Sequence, residues 1–305
     1  MSDQRKIQNI ACIGEVMIEL VMQDETRADL NIAGDTYNTA VYLARLLERS
    51  ETAVSYVTAL GTDRFSDRIL RHMQSAGLSA DCVERRPDRT VGLYAIDTDD
   101  AGERSFTYWR SASAARTLFD APAQIGLDVL LQFDLVYLSG ITLAILPDET
   151  RSKLLSALEN FRARGGRVAY DSNHRPRLWE SAEVARIVND RMWAHCDIAL
   201  PSIDDEQCIF DEASETDTLE RLRSYGIECG AVKRGQRGPV PITHTETQLS
   251  FPPAAKVVDT TAAGDSFNAG FLAEIAGGAS QSDAMQMGHS IASRVVQKRG
   301  AIVAL

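Results

Sequence analysis

Apolar positions along the chain follow two alternating rhythms. Short, almost unbroken apolar runs give way to longer stretches in which apolar residues recur every three to four positions. Residues 10–14, 54–60, 135–139, 167–171, 198–200 and 229–233 are runs of the first kind and predict buried strands. Residues 36–49, 65–76, 148–165 and 218–225 are of the second kind and predict helices; in the first of them Val41, Leu43, Ala44 and Leu47 share one face. Gly61 stops a strand, and Gly77 stands where a left-handed residue closes a helix. Strands separated by helices imply βαβ units and a mostly parallel sheet, whose ligands bind beyond the carboxyl ends of the strands.

One stretch keeps a different period. Residues 90–108 alternate through Val91-Gly-Leu-Tyr-Ala-Ile-Asp97, turn at Asp99-Asp-Ala-Gly102 and resume at Ser105-Phe-Thr-Tyr108. This pattern predicts a β-hairpin, a small flap over one end of the sheet. No internal repeat or low-complexity linker divides the chain, so residues 1–305 read as a single domain.

Composition narrows the function classes. A chain of 305 residues, 44% hydrophobic and 25% charged, buries a sizeable core as one unit. The net charge of −11 argues against nucleic acid, whose phosphates need clustered Lys and Arg. A few local arginines still suffice to hold a small anion. Cys12, Cys82, Cys196, Cys208 and Cys229 are scattered with no CxxC pair, which disfavours zinc and disulfides and fits a cytoplasmic protein. The polar start runs straight into the first strand, so no signal peptide is expected. No apolar run approaches the roughly 18 residues of a membrane span. No G-x-G-x-x-G follows the first strand, which disfavours a nicotinamide dehydrogenase.

The densest chemical signal is Val257-Val-Asp-Thr-Thr-Ala-Ala-Gly-Asp-Ser-Phe-Asn-Ala-Gly-Phe271. A short strand is expected to lead into a small-residue turn and then a helix carrying Phe267, Phe271, Leu272 and Ile275 at helical spacing. Small residues let backbone N–H groups approach an anion, and a helix N-terminus adds roughly half a positive charge. Asp265 stands at that helix start. The residues alone leave two roles open: a cap that satisfies free amides, or a general base facing an alcohol while the turn holds a phosphoryl group.

Asp259-Thr-Thr-Ala-Ala-Gly-Asp265 resembles the DTxGAGD signature of the PfkB, or ribokinase-like, carbohydrate kinases. Gly34-Asp-Thr-Tyr-Asn38, Leu60-Gly-Thr-Asp63 and Val232-Lys-Arg-Gly-Gln-Arg-Gly238 resemble other segments of that family in order and spacing, so the likeness covers essentially the whole chain. It implies an α/β three-layer sandwich with a mostly parallel central sheet and a small β-sheet lid from segments near 15–35 and 88–110. It also implies an ATP-dependent sugar kinase with Asp265 as base and the amides of Ala262, Ala263 and Gly264 as an anion hole. Asn173, Lys233, Gly235 and Gly238 would lie beside ATP, and His289, on the penultimate helix, near adenine. Mg2+ would accompany the nucleotide. The family's Asn-x-x-Glu metal motif is replaced here by Pro201-Ser-Ile-Asp-Asp-Glu206, which leaves both Asp205 and Glu206 open as the supporting acid. Ala262 occupies a family glycine position, which puts the need for positive φ there in question.

Within the family, Gly14-Glu-Val-Met-Ile-Glu19, Gly102-Glu-Arg-Ser-Phe-Thr-Tyr-Trp-Arg110 and Asp171-Ser-Asn-His-Arg-Pro-Arg-Leu-Trp179 resemble the members that act on 2-keto-3-deoxygluconate, an acid sugar, at its 6-hydroxyl. The implied contacts are Tyr108, Arg110 and Arg175 on the acid sugar, and Gly34, Asp35, Thr36, Tyr37 and Asn38 along its hydroxyls. An arginine fork suits a carboxylate because it makes two parallel charge-assisted bonds. The resemblance also implies a homo-oligomer. The alternatives are a kinase of a neutral sugar such as fructose, or a non-catalytic sugar-binding protein on the same fold.

Overall fold

The structure, a computed structural model, describes residues 6–98, 104–243 and 249–305. The turn expected at residues 99–102 lies outside them. The chain opens with β1 (Asn9–Ile13), β2 (Met17–Met22) and β3 (Ala28–Ala33), then α1 (Asp35–Leu47), β4 (Ala53–Leu60) and α2 (Arg64–Ser75). β5 (Val83–Arg85), β6 (Gly92–Thr98) and β7 (Arg104–Trp109) precede β8 (Leu135–Ser139), α3 (Gly140–Ile145), α4 (Asp148–Ala163) and β9 (Arg167–Asp171). α5 (Ala182–Trp193), β10 (Ile198–Ala199), α6 (Ile203–Phe210), α7 (Glu215–Ser224), β11 (Cys229–Val232) and β12 (Val240–Pro241) follow. α8 (Ala263–Ala276) and α9 (Gln281–Val295) end the chain.

Eight strands form the main sheet in the order β12-β11-β10-β9-β8-β1-β4-β5, parallel throughout except for the β11–β12 pair. Successive side chains of a strand point to opposite faces, so a sheet covered on both sides needs strands apolar at every position. β1 shows this directly. Ile10 and Cys12 join a core with α1, α8 and α9, whereas Ala11 and Ile13 join a second core with α4 and α5. β8 splits the same way, with Leu135 and Tyr137 on one face and Val136 and Leu138 on the other. Each fully buried Ile or Leu contributes about 1.5–3 kcal/mol. α8 lies against α9 almost backbone to backbone: a Cβ on Gly270 would stand 2.9 Å from the Cα of Gly288. No helix among the described residues is long and apolar enough to cross a membrane.

The smaller sheet has the order β3-β2-β6-β7. β2 pairs antiparallel with β3 and parallel with β6, and β6 pairs antiparallel with β7. The expected hairpin is therefore half of a four-stranded sheet whose other half comes from residues 17–33.

Three local expectations change. Residues 257–258 are not a strand; Val258 lies in a bend, its N–H donating to the Val296 carbonyl at 2.7 Å. α7 starts at Glu215, earlier than its apolar period indicates, because Ser214 caps it by accepting from the Asp217 amide. His289 lies on α9, the last helix rather than the penultimate one. Asp63, in one of the family-like segments, is the N-cap of α2 and accepts from the amides of Phe65 and Ser66.

Candidate active site

The carboxyl ends of β8, β9 and β11 carry a closed polar network. Asp171 ends β9 and is buried. Lys233, just past β11, donates through Nζ to Asp171 and to Asn268 Oδ1, the latter at 3.1 Å. Asn268 Nδ2 donates in turn to Asp171 Oδ2 at 2.7 Å and to the Tyr137 hydroxyl at 3.0 Å. An ion pair this deep persists only when its remaining hydrogen-bonding capacity is met, and Asn268 meets it with both ends of its amide. Asn268 lies on α8, so the network ties the strand ends to the helix that carries Asp265.

Asp265 occupies the third position of α8, whose cap is Ala262. It is therefore not the capping residue. Its Oδ2 accepts from Asn38 Nδ2 at 2.8 Å, and its backbone carbonyl accepts from the Thr39 hydroxyl at 3.2 Å. Asp35, one turn from Asn38 on α1, accepts from Asn173 Nδ2 at 2.9 Å and from the Ser139 hydroxyl. Burial and the charge of Asp35 push Asp265 up to about 7; Asp171 adds to this, and Asn38 and Lys233 oppose it. A carboxylate brought to that range is matched to taking a proton at neutral pH.

The loop before α8 keeps the geometry of a glycine turn without the glycine. Ala262 takes φ 58° and ψ 19°, left-handed values that cost an alanine about 1 kcal/mol. The Ala263 amide closes the turn onto the Thr260 carbonyl at 3.1 Å. In the first turn of a helix, amides such as those of Gly264 and Asp265 have no intrahelical acceptor. Lys233 Nζ lies 3.4 Å from where a Cβ on Gly264 would stand, so an ammonium borders these amides.

The small sheet presents a matching face. Alternation along β7 sets Arg104, Phe106 and Tyr108 on one side and Trp109 on the other. The rings of Phe106, Tyr108 and Tyr94 stack at centroid distances of 6.4 and 5.6 Å. The Tyr94 hydroxyl donates to buried Glu19, and burial, with the charge of Glu19, raises the tyrosine well above its ordinary range; Asp265 contributes to the same shift. Arg110 is buried and donates through Nη2 to Glu15, which is also buried. Its Nε is buried with no acceptor among the described residues. At the other end of β7, Arg104 Nη1 donates to Asp259 Oδ1 at 2.7 Å and to Thr261 Oγ1 at 2.9 Å. Burial alone would raise Asp259, but Arg104 and the Gly300 and Thr261 amides outweigh it and hold the carboxyl well below the usual range.

Sequence-predicted residues thus divide. Asp35, Asn38, Asn173, Lys233 and Asp265 converge with Ala262, Ala263 and Gly264. Gly34 is required where the chain enters α1: a Cβ there would lie 2.2 Å from the Glu15 carbonyl oxygen. Thr36 and Tyr37 do not bring their side chains to the site. They lie just over a quarter and just over half a turn from Asp35, so they point into the core, Thr36 to the Tyr56 hydroxyl at 3.0 Å and Tyr37 to His72 Nδ1 at 2.6 Å. Arg175 is exposed and donates to the His174 carbonyl at 2.8 Å. Gly235 and Gly238, at φ 56° and 74°, bracket a short 3-10 turn beside a cleft of about 530 Å³ lined in part by Arg234, Val240, Leu249 and Phe251. His289 packs edge-on against Phe251 and its Nε2 lies 2.7 Å from the Pro252 carbonyl oxygen. Of the two candidate metal-supporting acids, Glu206 is buried against Arg221, at 2.7 Å. Asp205 is pushed up to about 6 by burial and by the charge of Asp171, with Arg175 and Lys233 opposing.

Asp171, Asn268, Ser139, Tyr137, Glu15 and Arg104 were not singled out from sequence. Asn268 carried a readable signal, a lone amide in the apolar run Phe267–Leu272, one turn beyond Asp265.

Comparison with known proteins bears on this arrangement. Residues 7–305 match the model of the "pfkB family carbohydrate kinase". A 2-dehydro-3-deoxygluconokinase of Dickeya dadantii is 45% identical over 98% of this chain and 97% of its own length. One from Escherichia coli K12 is 43% identical over 97% of each chain. The structure of a fructokinase from Vibrio cholerae, bound to fructose, ADP and calcium ion, superposes with a TM-score of 0.83 at 21% identity, covering 98% of this chain and 96% of its own.

Proposed function

Because the chain belongs to the pfkB family of carbohydrate kinases, we propose that it moves the γ-phosphoryl group of ATP onto the 6-hydroxyl of 2-dehydro-3-deoxygluconate, also called 2-keto-3-deoxygluconate. It is a carbohydrate kinase; the donor, the acceptor and the roles of individual residues are the proposal. The observation that carries the choice of an acid sugar is the orphaned Nε of Arg110. A buried guanidinium donor without an acceptor costs free energy unless a ligand supplies one. A substrate carboxylate does so, with Glu15 fixing the other edge of the guanidinium. The Tyr108 ring lies 6.0 Å from the Arg110 guanidinium, and in this reading Tyr108 and Arg175, in the loop after β9, complete the carboxylate end.

In this reading Asp35 and Asn38 hold the sugar hydroxyls and Asp265 takes the proton as the oxygen attacks phosphorus. The amides of the 262–265 turn and the Lys233 ammonium steady the phosphoryl oxygens, the positioning and charge neutralisation that phosphoryl transfer chiefly needs. The nucleoside lies toward Gly235, Gly238 and His289. Among the described residues no three His, Cys, Asp or Glu side chains converge as a metal cage. Asp205 would be the acid supporting a Mg2+ bound with the nucleotide, and such an ion would supply neutralising charge. The four-stranded sheet acts as a lid that excludes water. β7 is its edge strand, with Trp109 58% exposed on the outer face, which supports pairing between copies in a homo-oligomer. Buried free thiols at Cys12, Cys82 and Cys196 support a cytoplasmic setting.

The test is a panel of acid and neutral sugars in a coupled ADP assay, run on the wild type and a charge-neutral pair variant. Arg110→Ala alone would strand Glu15 in the interior, so the pair Glu15→Gln/Arg110→Met is used. It should weaken 2-keto-3-deoxygluconate by about 2 kcal/mol, roughly 30-fold in KM, and leave fructose unchanged. A wild type that prefers fructose would overturn the acid-sugar reading.

A further inference from the structure

We propose that Arg104 is a positioning residue that latches the lid to the loop preceding Asp265, so that the phosphoryl cradle is set only when the lid is shut. The inference rests on the kinase reading above. Arg104 is the first residue of β7, on the lid face shared with Phe106 and Tyr108. It bridges 155 positions to Asp259 and 157 to Thr261. Its two acceptors are unlike each other. Asp259 is a rigid anchor: its Oδ2 takes the Gly300 amide at 2.9 Å, and its Oδ1 takes the Thr261 amide at 2.8 Å. Thr261 immediately precedes Ala262, the left-handed residue from which the turn of amides hangs. One nitrogen thus ties together the anchored base of the loop and the hydroxyl next to its left-handed turn.

The consequence is a coupling between water exclusion and the cradle. With the lid down, the guanidinium holds Thr261 and fixes the pitch of the amides behind it. With the lid up, the loop keeps the bond from the Thr261 amide to Asp259 but loses the guanidinium's hold on the Thr261 hydroxyl. Arg104 is 30% exposed on its side chain, so its contribution is screened; two charge-assisted bonds to pre-positioned acceptors still set a shift of about tenfold in the closed population. Arg104 touches neither sugar nor nucleotide in this scheme and acts through the loop.

The experiment compares wild type, Arg104→Gln, Arg104→Lys and Thr261→Val in the full chain with ATP and 2-keto-3-deoxygluconate, measuring ADP and sugar phosphate separately. Wild type should release one ADP per sugar phosphate. Arg104→Gln should lower kcat about tenfold, keep the melting temperature, and raise that ratio above one because water enters beside the cradle. Thr261→Val should behave in the same direction, and Arg104→Lys should recover most of the rate. A wild-type rate and ratio in Arg104→Gln would overturn the latch, as would a slower enzyme whose ratio stays at one. A wild type that phosphorylates no sugar defeats the kinase reading instead and is recognised before any variant is made.

Discussion

Asp265→Asn separates the base from everything else that side chain does. The amide keeps the size of the carboxylate and still offers an oxygen to Asn38 Nδ2, now 2.8 Å away. What it loses is proton affinity and charge. Removing a positioned base lowers turnover by about 10²–10⁴-fold, or about 3–5 kcal/mol in the barrier. The stability effect has the opposite sign. The carboxyl moves from 3.8 to about 7 on folding, so between those pH values the folded chain binds a proton that the unfolded chain does not. Stability therefore falls as pH rises through that window, and the deprotonated carboxylate destabilises the fold above it. The full displacement corresponds to an upper limit of about 4 kcal/mol, and partial exposure reduces it to the order of 1–2 kcal/mol. Asp265→Asn should thus melt higher than wild type at pH 8 and level with it at pH 4, while turning over at least a hundredfold more slowly. Wild-type kcat/KM should climb with pH to a plateau above about 7. Calorimetric sugar titrations, melting curves and the coupled ADP assay give the three readouts. Turnover within a few-fold of wild type would refute the base, and a lower melting temperature at pH 8 would refute the electrostatic argument behind its tuning.

Ala262→Gly should be nearly neutral, within about 0.5 kcal/mol, because relief of left-handed strain is offset by the extra freedom of glycine in the unfolded chain. Ala262→Val should cost about 2–3 kcal/mol, since a β-branched residue tolerates φ 58° poorly; a chemical denaturation series on both variants checks the pair. Asp205→Asn should raise the Mg2+ concentration for half-maximal activity about tenfold, whereas Glu206→Gln should leave it unchanged and lower the melting temperature by disturbing Arg221. Equal Mg2+ dependence in the two variants would remove Asp205 from the metal.

The main sheet was legible because burial on both faces forces apolar runs, as in β1 and β8, and runs of that length have one reading. β2 and β3 were foreseen only through the family resemblance, since neither shows a strand's alternating burial and the β6 partner of β2 lies about seventy positions on. The site followed the same divide. Asp265, Ala262 and Gly264 announce themselves in a compact small-residue turn. Asp171, Ser139 and Asn268 are single polar residues whose company exists only once β8, β9 and α8 are side by side. Thr36 and Tyr37 misled because a linear segment says nothing of rotation about a helix axis, and both turned to Tyr56 and His72.

The pairing of β2 with β6 has a consequence for anyone wishing to exchange specificity between such enzymes. Half of the small sheet is encoded before α1 and half after β5, and the seam between the halves is a parallel contact from Met17–Gly92 to Val21–Ile96. A graft of residues 92–109 alone would import a hairpin whose mate is foreign, leaving Ile18 and Ile96 to repack against an unmatched neighbour. The transferable cassette is therefore discontinuous, residues 15–33 together with 90–110. Recombination breakpoints that keep those two stretches from one parent should yield folded chimeras where single crossovers between them do not.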